Sequence, residues 1–161
     1  MMLKLKLPKD LYTNPFKFIP LFFFISLFAS LAFGQLLSLL EILFNYKATL
    51  KNEIANMDLW EQFILACIVA PLIETYFLQH IPYNFLSKKR VPFYLILPIS
   101  ALLFGAMHYQ SIDYIFYGVM VGCILITAYH LWQGKKINKF YMVSIIHAIW
   151  NLFVFLVHNF T

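Results

Sequence analysis

The chain has 161 residues, of which 62% are hydrophobic and 12% charged, with a formal net charge of +5. A soluble domain covers itself with about 25% charged residues, so these numbers exclude an ordinary soluble globular fold. The positive charge lies in short clusters between apolar runs, which makes it a topology signal and excludes a nucleic-acid-binding patch.

Residues 1–17 form a basic segment carrying Lys4, Lys6, Lys9 and Lys17. Apolar runs of about 17–25 residues are long enough to span a bilayer whose hydrocarbon core is about 30 Å thick. Five follow in order: Phe18–Phe44, Glu61–Leu86, Pro92–Tyr109, Tyr114–Trp132 and Phe140–Val157. The first runs past 33-FGQLLSLL-40 without a small-residue cleavage site, so it reads as a retained span and not a secretory signal. Residues 45–60 are the one sizeable polar connection and are expected to form a short interfacial helix. Lys88, Lys89 and Arg90 separate spans two and three, and Lys135, Lys136 and Lys139 separate spans four and five, whereas Lys47 and Lys51 fall on the other side. The positive-inside rule then puts the N-terminus in the cytosol and the C-terminus outside. The expected fold is an all-α, multi-pass transmembrane bundle of about five spans, a single membrane-embedded domain over residues 18–161, because only helices satisfy their own backbone in lipid. Cys67 and Cys123 fall inside spans and are expected to pack as small apolar groups.

Polar side chains inside spans face the bundle interior and mark sites or structural hydrogen bonds. The second span carries Glu74, with Thr75, Gln79 and His80 close by; the third carries His108 in 104-FGAMH-108; the fifth carries His147 and Asn151 in 147-HAIWN-151. His147 and Asn151 are four residues apart and share a helix face, as do Phe104 and His108. Three helices can therefore aim one carboxylate, two imidazoles and one carboxamide at a common point. That set suits two chemistries. Glu74, His108 and His147 are zinc-ligand types that leave a position for the attacking water. Without metal, Glu74 and His108 would deprotonate water while His147 and Asn151 hold an oxyanion. Counting upward from the basic loops, straight upright helices put Glu74 at about 21 Å, His108 at about 27 Å, Asn151 at about 18 Å and His147 at about 12 Å, which separates the histidines by about three turns.

Other polar residues have structural readings. A lone intramembrane His or Asn often serves as an interhelical hydrogen-bonding group worth about 0.6 kcal/mol. His80, His130 and His158 sit near span ends and are expected to be structural or interfacial. Gly118 and Gly122 form a GxxxG, and Ala101 and Gly105 repeat the small-xxx-small pattern, which suits close helix packing. Asp113, in a short outer loop, is expected to be solvated.

The order Glu, then FxxxH, then HxxxN on successive membrane helices resembles the CPBP intramembrane proteases, the group containing CAAX-prenyl endopeptidases and bacterial bacteriocin-processing or self-immunity proteins. The resemblance covers residues 61–157. The family's first motif is usually EExxxR; here 74-ETYFLQ-79 keeps Glu74 and places Thr75 and Gln79 where the second glutamate and the arginine stand. The resemblance implies an intramembrane endopeptidase of the bacterial plasma membrane that hydrolyses a peptide bond of a membrane protein or peptide. In it Glu74 and His108 would activate water, and His147 and Asn151 would act as metal ligands or oxyanion donors. Family members are commonly called metalloproteases, and a metal-free, glutamate-dependent mechanism has also been proposed, so Zn2+ stays open. Loss of the second charged pair supports an alternative, a non-catalytic immunity factor or protein-binding partner. A transporter or proton relay is a third reading, against which stands the lack of pseudo-repeated halves.

Overall fold

The computed structural model describes residues 8–50 and 57–160. Among these residues every regular element is helical. Helix α1 spans Pro15–Phe44, α2 Leu59–Lys88, α3 Phe93–Ala106, α4 Ile112–Leu131 and α5 Lys139–Phe160. All but α3 are long and apolar enough to cross a membrane, and α3 is a shorter apolar helix of 14 residues. The chain is a multi-pass membrane protein. Lys4, Lys6 and Lys51 lie outside the described residues.

Helix α1 starts three residues before the apolar run. The Asn14 side chain accepts from the Phe16 N–H at 3.0 Å, and Pro15 occupies the first turn, where its missing N–H costs nothing. Only a narrow face of α1 is buried: Phe18 packs at a tilt against Trp132 at 4.9 Å and Phe22 at 4.7 Å, while Phe16, Phe28 and Ile42 stay exposed, as lipid-facing side chains do.

Helix α2 is continuous but irregular. Asp58 caps it through the N–H groups of Trp60 and Glu61. Two π-helical segments, Leu65–Val69 and Thr75–His80, interrupt the α-helical turns, and Pro71 and Pro82 each follow one closely. The sequence explains the pairing. A proline has no N–H to give to the carbonyls four and five residues before it, and its ring crowds the turn. A membrane helix keeps such a residue only if widened turns and neighbouring side chains serve the freed carbonyls. Both carbonyls are served here: Asn151 Nδ2 donates to Ala66 O at 2.8 Å, five residues before Pro71, and Ser100 Oγ donates to Leu78 O, four before Pro82.

The tightest helix pair is α3 with α4. A Cβ added at Gly118 would stand 3.0 Å from Gly105 Cα, and one at Gly122 would stand 2.8 Å from Phe104 Cβ and 3.0 Å from Ala101 Cα. The small-residue pattern is therefore a packing device, as the spacing predicts. Cys67 and Cys123 are free thiols. The core below α1 is built from Phe18, Phe104, Leu125, Trp132, Met142 and Ile146, with the Trp132 indole donating to Ile137 O at 2.8 Å.

Two expectations change. Asp113 is not solvated: it is 4% exposed, and its carboxylate accepts from Tyr46 Oη at 2.6 Å and from the Thr49 N–H at 2.7 Å. A carboxylate leaves water when enough donors replace it, and these donors pin residues 45–50 across the start of α4, helped by Ser111 Oγ on Thr49 O. Residues 45–50 are accordingly non-helical, so the expected interfacial helix is not found there; residues 51–56 lie outside the described residues. The structural readings of His80 and His130 hold, since His80 Nδ1 meets Tyr129 Oη at 2.6 Å and His130 Nδ1 meets Tyr83 Oη at 2.9 Å.

Candidate active site

Glu74, His108, His147 and Asn151 all line one cavity of about 610 Å3 between α1, α2, α4 and α5. Each arrives there for a local reason. Glu74 stands between the two π-helical segments of α2. His108 lies in the turn after α3, where its Nδ1 sits 2.8 Å from the carbonyl of Phe104. A carbonyl can only accept, so Nδ1 carries the proton and Nε2 keeps its lone pair. That contact is the physical content of the FxxxH spacing: residue 104 supplies the acceptor four positions back, and its ring stacks on the imidazole at 4.9 Å and 23°.

The same Phe104 ring packs against His147 at 5.6 Å, so one side chain supports both imidazoles. Loop counting had separated the histidines by about three turns, on the assumption that all helices stand upright from a common level. Both rings on Phe104 show that this assumption fails.

His147 is 3% exposed, and its Nε2 lies 3.7 Å from Glu74 Oε2, whose side chain is 22% exposed. At 3.7 Å the pair is longer than a direct hydrogen bond. His147 Nδ1 is buried without a hydrogen-bond partner among the described residues. Asn151, one turn further along α5, uses one amide hydrogen on Ala66 O and keeps a second, since a carboxamide has two.

Thr75 and Gln79 are both 0% exposed, and neither lines the cavity. Thr75 Oγ1, Gln79 Nε2 and Gln79 Oε1 have no partner among the described residues. The neutral pair thus sits in packed protein behind Glu74, where two charges would need each other.

Sequence reading missed the aromatic wall. Tyr114 meets His108 edge-on at 4.6 Å, Tyr114 and Tyr117 stack at 6.4 Å, and Tyr117 Oη is shared by Trp150 Nε1 at 3.3 Å and Ser30 Oγ at 3.1 Å. Tyrosine and tryptophan are common in apolar spans, so no spacing signal set these apart. Ser30, Phe33 and Gly34 bring α1 into the cavity wall as well.

The zinc expectation meets a fit test in the donor atoms. Among the described residues no three His, Cys, Asp or Glu side chains are grouped so as to hold one metal ion. Singly the donors suit a metal, since His108 gives Nδ1–H to a carbonyl and keeps Nε2 free. In this arrangement Glu74, His108 and His147 do not form one ligand set.

A helical bundle with long apolar spans, in which Glu74, His108, His147 and Asn151 line one cavity, defines the class: a multi-pass membrane protein with a polar cavity between its helices. A match to the model of the type II CAAX prenyl endopeptidase Rce1-like family covers residues 56–153, more than half of the chain. The chain belongs to that family of membrane proteases. The match takes in α2, α3, α4 and most of α5 and leaves α1 outside. Neither the curated proteins nor the solved structures contain a match to the chain.

Proposed function

We propose that the protein is an intramembrane endopeptidase that hydrolyses a peptide bond near the membrane with a water activated by Glu74 and His108. The observation that supports it most directly is the 3.7 Å approach of Glu74 Oε2 to His147 Nε2 on a cavity shared with His108 and Asn151. Glu74 reaches the cavity and takes a proton from water, with His108 Nε2 accepting a hydrogen bond from the same water. The hydroxide attacks the carbonyl carbon. His147 and the second Asn151 amide hydrogen donate to the oxyanion, which is worth the most in a site shielded from solvent. The C–N bond then breaks, and the proton held by Glu74 passes to the leaving amine. Water and the peptide become one carboxylic acid and one amine.

The test uses full-length protein in proteoliposomes and membrane peptides as substrates. Glu74→Gln keeps the shape of the side chain and removes the base, so hydrolysis falls by at least about a hundredfold. Wild-type hydrolysis continues in the presence of a metal chelator. Equal hydrolysis by Glu74→Gln overturns the proposal; loss on chelation that zinc restores replaces the metal-free mechanism with a metal-dependent one.

A second reading is favoured by one observation, the buried neutral pair Thr75 and Gln79 in place of the charged pair. In it the chain is a non-catalytic member acting as an immunity factor or as a partner of membrane proteins. It requires Glu74→Gln and His108→Ala to leave the cellular phenotype intact.

A further inference from the structure

The cavity is larger than the chemistry needs. Beyond the four polar residues it continues along α5 past Trp150 to Val154, Phe155 and His158. From His147 to His158 is eleven residues, about 17 Å of helix, long enough for about five residues of extended peptide. Cavities of roughly 300–1,000 Å3 enclose drug-sized ligands, and the volume of about 610 Å3 lies within that range.

Its wall includes the large aromatic residues Tyr114, Tyr117 and Trp150, with Phe33 against Tyr117 at 5.7 Å, and also small residues. Ala66 and Ala70 contribute from α2 and Gly34 from α1. Gly34 stands apart from the other glycines in helices. At Gly105, Gly118 and Gly122 an added Cβ would come within about 3 Å of neighbouring atoms, whereas at Gly34 it would meet nothing within 4 Å. Glycine in a helix interior lowers helix stability, and here no close approach of helices explains it. What Gly34 does is leave open space on the cavity wall. Its place along the cavity is set by Ser30, one turn below, whose hydroxyl meets Tyr117 Oη at 3.1 Å, the atom that Trp150 also contacts next to Asn151.

We propose that Gly34 sets the width of a side-chain pocket that receives a large apolar side chain of the substrate, about two or three residues from the bond cleaved. The pocket is formed by α1, outside the region that matches the family, together with the aromatic wall of α4 and α5. Gly34 is a specificity-determining residue. The occupant is an extended peptide with Phe or Leu at one position, since an apolar side chain gains by leaving its surroundings only where the receiving wall is apolar and unfilled. The proposal rests on the endopeptidase reading for the word "cleaved", but not for the pocket itself.

The experiment compares wild type, Gly34→Ala and Gly34→Leu, as full-length protein in detergent micelles, on membrane peptides with Phe or Ala at each position within three residues of the cleavage site. Binding is read separately in the Glu74→Gln background, by quenching of tryptophan fluorescence with 4-nitrophenylalanine at the tested position. Wild type favours Phe over Ala at one position by about tenfold or more in kcat/KM. Gly34→Leu abolishes or reverses that preference by losing far more on the Phe peptide than on the Ala peptide, and Gly34→Ala falls between. The unfolding midpoint does not drop in Gly34→Ala, because the added Cβ meets open space. A preference that survives Gly34→Leu, or a uniform slowing of all peptides, overturns the pocket. Gly34-dependent binding without cleavage by any variant keeps the pocket and overturns the endopeptidase reading. Absence of both binding and cleavage overturns both.

Discussion

Asn151 Nδ2 donates to Ala66 O at 2.8 Å, and Ala66 is one of the two residues whose carbonyls Pro71 cannot serve. A residue of the candidate site thus also repairs a gap in the neighbouring helix. Asn151→Ala is expected to lower stability by about 0.6 to 1.7 kcal/mol, the range for interhelical hydrogen bonds in membranes, and to reduce hydrolysis. Pro71→Ala restores an N–H to α2, so a double-mutant cycle in detergent unfolding separates the roles. In the double variant the stability loss shrinks and the activity does not return.

Gln79 has no partner for either end of its carboxamide among the described residues, and Thr75 is equally buried one turn away. Gln79→Arg alone leaves a buried charge unpaired and is expected to destabilise by about 3–5 kcal/mol. Adding Thr75→Glu should recover most of that loss by supplying the missing partner. Unfolding of the two variants side by side decides it: equal stability of the single and double variants shows that residues 75 and 79 do not pair.

Gly118 touches the site through His108. A Cβ at residue 118 would lie 3.0 Å from His108 Cγ and Nδ1, whereas one at residue 122 would press on Phe104 and Ala101. Both alanine substitutions overpack the α3–α4 contact and are expected to cost about 1–3 kcal/mol. Gly118→Ala should also lower kcat well beyond what a variant of matched stability shows, because the His108 ring must move off its bond to Phe104 O. Kinetics at equal folded fraction provide the measurement.

Tyr46 lies outside the spans and donates to Asp113 at 2.6 Å. That hydrogen bond to a carboxylate, with smaller contributions from burial and from the negative charge of Asp113, holds the phenol proton and raises the pKa of Tyr46 above its ordinary value. A raised pKa in the folded state means that the contribution of this bond is complete below about pH 10 and is lost as pH rises through the folded value. Ultraviolet titration of phenolate should show one fewer late-titrating tyrosine in Asp113→Asn than in wild type. Unchanged titration in that variant removes Asp113 as the cause.

Much of the fold was legible because a bilayer leaves little choice. Long apolar runs must be helices, basic connections punctuate them, and the runs at 18–44, 114–132 and 140–157 match α1, α4 and α5 within a few residues. The set Glu74, His108, His147 and Asn151 was also legible, because polar side chains are rare enough in such runs to be noticed singly. The misjudged places are those where polarity alone was read: Asp113 looks solvated in sequence because its donors, Tyr46 and Thr49, lie more than sixty residues away.

The sequence by itself determined the helices, their order and the residue types that could carry chemistry, since each follows from local hydropathy and spacing. Only the tertiary structure decided that Phe104 supports both histidines, that two prolines in α2 leave carbonyls for Asn151 and Ser100, and that an isolated glycine on α1 opens the cavity wall. Those are contacts between helices. Hydropathy fixes where a helix lies in the bilayer but not how far it is shifted or turned against its neighbours, and that placement decides which side chains meet.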